Sequence, residues 1–215
     1  MPQLIAGLLL LLLFALFPQL DVALSSIGYR AGEGFVWAQA PAVLLIYRAV
    51  NVLAPLLIAG LLLALLAGSL RPSLRPLRAR AGFLLLVLAL GPGLIAHPLL
   101  KDHWGRPRPV ETQVFGGTQP LVPAAVPSRY CDKNCSFVSG HAVMGFYLLA
   151  FGYAWPRQRR RWHWLGIAAG VSIGAVRMLQ GKHFASDVLG SYLVVLGTCL
   201  MVSALWRRWR WPALD

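Results

Sequence analysis

The sequence predicts an all-α protein, a polytopic bundle of six transmembrane helices. Of its 215 residues, 58% are hydrophobic and only 13% are charged, whereas soluble domains carry about 25% charged residues. The apolar residues form long blocks close to the ~20 residues that a bilayer-spanning helix requires. Arginines cluster between these blocks, where topology signals lie in membrane proteins. The composition therefore favours a membrane protein over a soluble one with a single large core.

The predicted spans, in chain order, cover residues 3–20, 41–68, 81–100, 139–156, 164–181 and 187–206. The first apolar block, Leu4 to Phe17, has no basic residue before it and no clear small-residue cleavage site after it. We therefore interpret it as a retained helix rather than a signal peptide. The second span carries Arg48 near its start, so we expect its membrane-embedded part to begin after that residue.

Three segments between or after the spans are rich in arginine, and they fall on one side of the membrane if all six spans cross. They contain Arg71, Arg75, Arg78 and Arg80; then Arg157, Arg159, Arg160 and Arg161; then Arg207, Arg208 and Arg210. The positive-inside rule makes this side cytoplasmic and places both termini there. Loops 21–40, 101–138 and 182–186 then face the periplasm of a bacterial inner membrane.

The net charge of +13 follows from this arginine clustering. A basic patch for nucleic acid normally lies on a soluble fold, and the sequence contains no region that reads as one. We therefore predict no nucleic-acid partner and expect the chain to act on the bilayer or on a lipid within it.

Polar residues form three clusters, at 101–109, 136–141 and 177–187, which all map to the predicted periplasmic face. Lys101, Arg108 and Arg177 supply fixed positive charge, and the planar guanidinium of arginine can donate two parallel hydrogen bonds to a pair of phosphate oxygens. Ser139 and Gly140 open a predicted helix, where backbone N–H groups can bind an anion. The pattern indicates a phosphate site.

Two histidines and one aspartate complete these clusters. His183 and Asp187 are four residues apart and so share one helix face. The carboxylate can hold one imidazole nitrogen and leave the other free to attack, and His141 is a candidate acid. The same three side chains match zinc by ligand type, but the three neighbouring cations would repel a metal ion. We predict no metal and no cofactor.

These residues resemble the three-part signature of the type 2 phosphatidic acid phosphatase superfamily, which also includes vanadium haloperoxidases and glucose-6-phosphatases. The parts are K-x6-R-P, P-S-G-H and S-R-x5-H-x3-D. The matching residues are Lys101, Arg108 and Pro109; Ser139, Gly140 and His141; and Arg177, His183 and Asp187. Val138 and Val176 stand where the family usually has proline and serine. No catalytic position of the family is missing.

The resemblance implies a single membrane-embedded lipid phosphatase domain over residues 1–215, with motifs at 101–109, 138–141 and 176–187. It implies that His183 is a nucleophile that forms a phosphohistidine, that Asp187 orients it, and that His141 protonates the leaving oxygen. The implied phosphate-binding residues are Lys101, Arg108, Ser139, Gly140 and Arg177.

The resemblance leaves the substrate open among lipid A 1-phosphate, undecaprenyl pyrophosphate and phosphatidylglycerol phosphate. The segments 115–117 and 131–139 look locally most like bacterial lipid A 1-phosphatases. A lipid phosphotransferase that uses the same phosphohistidine remains an alternative, as does a non-catalytic lipid-binding or transport protein. The oligomeric state is also open, because the glycines at 166, 170 and 174 suit helix packing within one chain as well as between chains.

Cys131 and Cys135 form a C-x3-C pair with two interpretations. A metal site would need further ligands, and no second cysteine pair exists to supply them. The periplasmic face is oxidising, so we predict a disulfide that tightens the loop before Ser139. Cys199 lies within a span and is expected to serve packing. We interpret His97 and His103 as structural and assign no role to Asp102 and Arg106.

Overall fold

The computed structural model describes residues 2–209, 211 and 214, and these are largely helical. The predictions for the two termini and for the third arginine-rich segment rest partly on Met1, Arg210 and Asp215. These three residues lie outside the described residues. The helices are α1 (Pro2–Leu16), α2 (Gln19–Ser26), α3 (Pro41–Leu70), α4 (Arg75–Leu88), α5 (Gly140–Phe146), α6 (Leu148–Ala154), α7 (Arg159–Leu179) and α8 (Ala185–Arg208). A π-helix, Ala89–Lys101, continues α4, and the strands β1 (Tyr29–Arg30) and β2 (Gly34–Phe35) form a short antiparallel hairpin.

Helical segments lie at all six predicted spans, but they differ in their capacity to cross a membrane. By length and apolar composition, three described helical segments are sufficient to cross a membrane. They are α3, α8 and the continuous segment Pro72–Lys101, which consists of a short 3-10 turn, α4 and the π-helix. A fourth is obtained if α1 and α2 count as one broken span. The predicted span 139–156 is divided into α5 and α6, which are seven residues each. A mostly helical fold with three candidate membrane spans is thus confirmed, and six crossings stay a prediction.

The first predicted span, 3–20, is broken near its end. Helix α1 ends at Leu16, and α2 starts at Gln19 after a bend of 91°. Pro18 precedes α2 and has no backbone N–H with which to continue the hydrogen bonding of α1. The bend turns α2 inward and buries Asp21 completely. The start of loop 21–40, which we expected to be a periplasmic loop, is therefore a helix that buries Asp21 and Ser25 on one face.

Helix α8 lies at the centre of the bundle, where it contacts α1, α2, α4, α5, α6 and α7. Its inner face buries Val195, Val202 and Cys199, as expected for a packing cysteine. On α7, a Cβ atom at Gly170 would overlap the Phe146 ring, and one at Gly174 would overlap Val188. Contacts within the chain therefore account for the glycine stripe of α7.

Contacts at one end of the bundle bring the arginine-rich segments together. The Arg80 guanidinium lies 5.2 Å from the centre of the Trp155 ring, and Arg80 Nε donates to the Leu214 carbonyl oxygen at 3.2 Å. Arg159, at the start of α7, lies over the Tyr153 ring. The first two segments and the described C-terminal residues thus share one end of the molecule. That this end faces the cytoplasm stays a prediction.

The long loop before α5 folds back onto the end of the π-helix. Cys131 and Cys135 form the predicted disulfide, with their Cα atoms 5.7 Å apart. The Cys135 N–H donates to the Lys101 carbonyl oxygen, and the Ser136 N–H donates to that of Arg106, both at 2.8 Å. These bonds bring the first and second polar clusters side by side.

Candidate active site

A cavity of about 560 Å³ opens at the end of the bundle opposite the arginine-rich segments. It brings together most of the site residues predicted from the sequence, namely Lys101, Arg108, Gly140, His141, Arg177 and His183. Two predicted residues, Ser139 and Asp187, lie behind the cavity wall and are completely buried. Residues from all three sequence clusters therefore meet at one cavity.

His183 follows α7 in a short connection and is 1% exposed. Its Nδ1 lies 2.7 Å from the Ser136 carbonyl oxygen. A carbonyl only accepts, so Nδ1 carries the ring proton and Nε2 keeps its lone pair. Burial lowers the pKa of His183 to about 4, although the nearby Asp187 carboxylate acts in the opposite direction. The ring is therefore neutral at pH 7, with Nε2 available as a nucleophile.

Asp187 supports this arrangement mainly through the loop that carries Ser136. Its Oδ2 accepts from the Ser136 hydroxyl at 2.5 Å and from the Phe184 backbone N–H at 2.7 Å. The same oxygen lies 3.7 Å from His183 Nδ1. The sequence pattern pointed to the carboxylate as the partner of the imidazole, whereas the nearest acceptor is the Ser136 carbonyl oxygen. A backbone acceptor of this kind has no sequence signal.

Arg106, to which the sequence analysis assigned no role, forms the centre of a buried ionic cluster behind the site. Its Nη1 donates to Asp187 Oδ1 at 2.5 Å, and its Nη2 donates to Asp21 Oδ2 at 2.8 Å. Asp21 Oδ1 also accepts from the Ser186 N–H at 2.9 Å. Burial acts to lower the pKa of Arg106, but the carboxylates of Asp187 and Asp21 prevail and raise it. The guanidinium thus stays charged and connects α2 to Asp187.

The disulfide-bonded loop positions two of the cations through Asn134. Lys101 Nζ donates to Asn134 Oδ1, and Arg108 Nη2 donates to the Asn134 carbonyl oxygen at 2.7 Å. Asn134 has a φ of 54°, a left-handed conformation that asparagine tolerates better than most residues. The disulfide between Cys131 and Cys135 encloses this residue.

Two further cations line the cavity, Arg177 from the last turn of α7 and Lys182 from the connection after it. Arg177 Nη1 donates to Gln180 Oε1 at 2.5 Å, while its buried Nε has no hydrogen-bond partner among the described residues. Lys182 was not predicted as a site residue, yet it also lines the cavity. Burial lowers the pKa of Lys182, and the charges of Arg108 and Arg177 act in the same direction. Such a concentration of positive charge attracts an anion.

The start of α5 packs closely against the π-helix. Ser139 caps α5, since its Oγ accepts from the Ala142 N–H at 3.4 Å. A Cβ atom at Gly140 would lie 3.1 Å from His97 Cε1, so glycine allows this close approach. His97 also lines the cavity, while His103 is exposed and its Nδ1 lies 2.5 Å from the Pro98 carbonyl oxygen.

His141 is held by two residues of α3, a helix on which the sequence shows no motif. Its Nε2 lies 3.1 Å from Asn51 Oδ1. Its ring stacks on Tyr47 with a centroid distance of 4.7 Å and an interplanar angle of 20°. The Arg177 guanidinium lies 4.9 Å from the centre of the same Tyr47 ring. The one available signal was Asn51 itself, a polar residue within a long apolar helix.

Across the described residues, no group of three or more histidine, cysteine, aspartate or glutamate side chains could hold a metal ion. The cavity instead presents three histidines, His97, His141 and His183, among four cationic side chains. Fixed cations and a neutral imidazole suit the binding of a phosphate group and attack on its phosphorus.

Comparison with known proteins gives the same chemical class. A family model described as PAP2 superfamily matches residues 80–212, a range that contains all three polar clusters and excludes α1, α2 and α3. A lipid A 4′-phosphatase of Francisella tularensis subsp. novicida is 42% identical over 128 residues, which cover 59% of this chain and 58% of that protein. A lipid A 4′-phosphatase of Rhizobium etli is 40% identical over 121 residues, which cover 54% of this chain and 47% of that protein.

A lipid A 4′-phosphatase of Rhizobium leguminosarum is 37% identical over 107 residues, which cover 49% of this chain and 46% of that protein. The chain thus spans about half the length of the curated relatives it matches. Their names agree with the local likeness to lipid A phosphatases but specify the 4′ position rather than the 1 position. No solved structure gives a significant match.

Proposed function

Because this chain belongs to the PAP2 superfamily, we propose that it is a lipid phosphatase whose residues 1–215 form one membrane-embedded catalytic domain. The observation that carries the proposal is the convergence of His141, His183 and four cationic side chains on one cavity. A site of this composition can supply a nucleophile, an acid and charge stabilisation from the chain's own residues.

In the first step, His183 Nε2 attacks the phosphorus atom of the substrate. The P–N bond forms as the P–O bond to the lipid breaks, and the bonding electron pair stays on the leaving oxygen. His141 donates a proton to that oxygen, so the lipid departs as an alcohol. The Ser136 carbonyl supports His183 by accepting its Nδ1–H, since this fixes the tautomer in which Nε2 is free.

In the second step, water attacks the phosphohistidine. His141, now neutral, takes a proton from the water as its oxygen bonds to phosphorus. The P–N bond breaks, its electron pair returns to His183 Nε2, and inorganic phosphate is released. The same two histidines thus serve both halves of the reaction, and His141 regains its proton for the next cycle.

Cationic side chains stabilise the charge of the transferring phosphoryl group, and the proposed mechanism uses no metal ion. Lys101, Arg108 and Arg177 bind its oxygens, and Arg177 Nε, which has no hydrogen-bond partner in the part of the chain that the structure describes, is a donor available to an anion. The backbone at Ser139 and Gly140 contributes further donors. Phosphoryl transfer depends mostly on positioning and charge stabilisation, which such a set of fixed donors provides.

We propose the 4′-phosphate of lipid A as the substrate, because the curated relatives bear that name. We further propose that the cavity faces the periplasm of a bacterial inner membrane, as the arginine-rich end favours the cytoplasm. The cavity is bordered by α3, an apolar helix long enough to span a bilayer. A lipid headgroup can enter beside this helix while its acyl chains remain in the membrane.

The test is phosphate release by the purified protein in detergent with a chelator present. The substrates are lipid A that carries only the 4′-phosphate, lipid A that carries only the 1-phosphate, undecaprenyl pyrophosphate and phosphatidylglycerol phosphate. We expect fastest release from the 4′ form and none with His183→Ala. Release that persists in the variant contradicts the proposed nucleophile. Transfer of labelled phosphate to another lipid without free phosphate would favour the phosphotransferase alternative.

A further inference from the structure

Helix α3 presents two polar side chains to the cavity although the rest of the helix is largely apolar. Tyr47 and Asn51 are four residues apart and therefore lie on one helix face. Both line the cavity. An amide within a membrane-spanning helix is unfavourable unless it is paired or faces a polar space, so its presence requires a partner. Neither residue belongs to the range matched by the family model.

Both side chains contact His141 and favour its charged form. Asn51 Oδ1 lies 3.1 Å from His141 Nε2, so it accepts the proton that this nitrogen carries. An amide oxygen is too weak a base to remove the proton, and it therefore orients the N–H bond without competing for it. The stacked Tyr47 ring offers its electron-rich face to the imidazolium, and aromatic faces attract cations.

Other elements around His141 oppose its protonation. Arg177 of α7, His183, and both Lys101 and His97 of the π-helix line the same cavity. The positive charges of Arg177 and Lys101, together with the partial burial of the His141 ring, disfavour a further positive charge on that imidazole. A histidine in this position needs specific partners if it is to remain a proton donor, and the partners that the structure offers are on α3.

We propose that Asn51 and Tyr47 are positioning residues that keep His141 protonated at Nε2 and directed towards the leaving oxygen. This inference rests on the proposed function and assigns α3 to the same reaction. When substrate binds, the Nε2–H group of His141 donates its hydrogen bond to the leaving oxygen instead of to Asn51 Oδ1. The N–H bond then breaks, an O–H bond forms, the P–O electron pair remains on oxygen, and His141 becomes neutral.

The dependence of the first turnover on the leaving group tests this role. A lipid alkoxide needs a proton to leave, whereas p-nitrophenolate leaves without one. With Asn51→Leu, which removes the acceptor at similar size, we expect lipid alcohol release to slow at least ~10-fold, a fraction of the 10²–10⁴ that general acid catalysis contributes. Release of p-nitrophenol from its phosphate should change by less than about threefold, because that step bypasses the acid. Asn51→Asp, which keeps an acceptor oxygen, should restore lipid alcohol release.

The aromatic contact has its own pair of variants. Tyr47→Phe keeps the ring and should retain lipid alcohol release, while Tyr47→Leu should slow it with little effect on p-nitrophenol release. Leu53→Ala is the control on α3, because Leu53 is 62% exposed and outside the cavity lining. Equal loss for both leaving groups would overturn the positioning role and indicate a packing role. No loss in Asn51→Leu and Tyr47→Leu would also overturn it. A wild-type protein inactive on both substrates would instead refute the proposed function itself.

Discussion

Replacement of Arg106 by methionine removes the cation of the buried cluster and leaves two carboxylates without a partner. The guanidinium lies 2.5 Å from Asp187 and 2.8 Å from Asp21, and all three side chains are 0% exposed. Loss of one partner of a buried ion pair destabilises a protein by about 3–5 kcal/mol, because the remaining charge is buried without compensation. We expect at least this loss, since two carboxylates are affected and they repel each other.

The assay is thermal unfolding of the purified protein in detergent, together with phosphate release. For a chain of this length, about 3–5 kcal/mol corresponds to a fall in Tm of at least ~6 °C. Asp21→Asn should have a smaller effect, about 1.5–3 kcal/mol, because one charged hydrogen bond is weakened while the Arg106–Asp187 pair stays intact. Asp21→Asn combined with Arg106→Met should be less damaging than the sum of the two changes, because one uncompensated charge is gone.

Arg129→Met provides the matched control, because Arg129 lies exposed in the same loop. It should leave both Tm and activity near their wild-type values. A similarly small effect of Arg106→Met would refute the reasoning, since it would mean that the carboxylates of Asp21 and Asp187 need no cation. Additive effects in the double variant would also contradict it.

Three further predictions concern the site and its loop. The His183 imidazole should titrate near pH 4 rather than 6.5 in nitrogen-15 NMR, and titration near 6.5 would contradict its burial. Because the unfolded chain binds this proton more readily than the folded chain, the free energy of unfolding should fall as the pH drops from 6.5 to 4. Replacement of both Cys131 and Cys135 by serine should destabilise the protein by about 2 kcal/mol and raise KM through the loosened Asn134, and an unchanged KM would exclude that link. His141→Ala should lower kcat by about 10²–10⁴-fold in steady-state assays, and near wild-type turnover would remove His141 from the mechanism.

The sequence sufficed for the approximate positions of the helices and for the cavity residues that belong to the three motifs, because both depend on local patterns. Long apolar runs indicate helices whose surface is buried in the protein or embedded in the bilayer, so the approximate positions of the helical segments were predictable. Motif spacing brought Lys101, His141 and His183 into one hypothesis, and the structure places them at one cavity. The disulfide was predicted because no second cysteine pair could complete a metal site and the predicted periplasmic face is oxidising, and Cys131 and Cys135 are bonded as predicted.

The contacts that support the site were not predictable, because they join residues far apart in sequence. Arg106 and Asp21 are separated by 85 positions, and Asn51 and His141 by 90. Periodicity and motif spacing describe neighbours within a few turns and carry no signal for such pairs. The bend at Pro18, which places Asp21 in the interior, was also missed, because the predicted span 3–20 was extended past the end of the apolar block at Phe17.

The most direct test of the account is to trap the phosphorylated enzyme. The protein is mixed with lipid A labelled in the 4′-phosphate, quenched within the first turnover under alkaline conditions that preserve phosphohistidine, and digested for mass spectrometry. We expect acid-labile phosphate on the peptide that contains His183, accumulation of this species in His141→Ala at long times, and none in His183→Ala. Release of phosphate from the wild-type protein with no label on His183 at any time, or with label on another residue, would contradict the account.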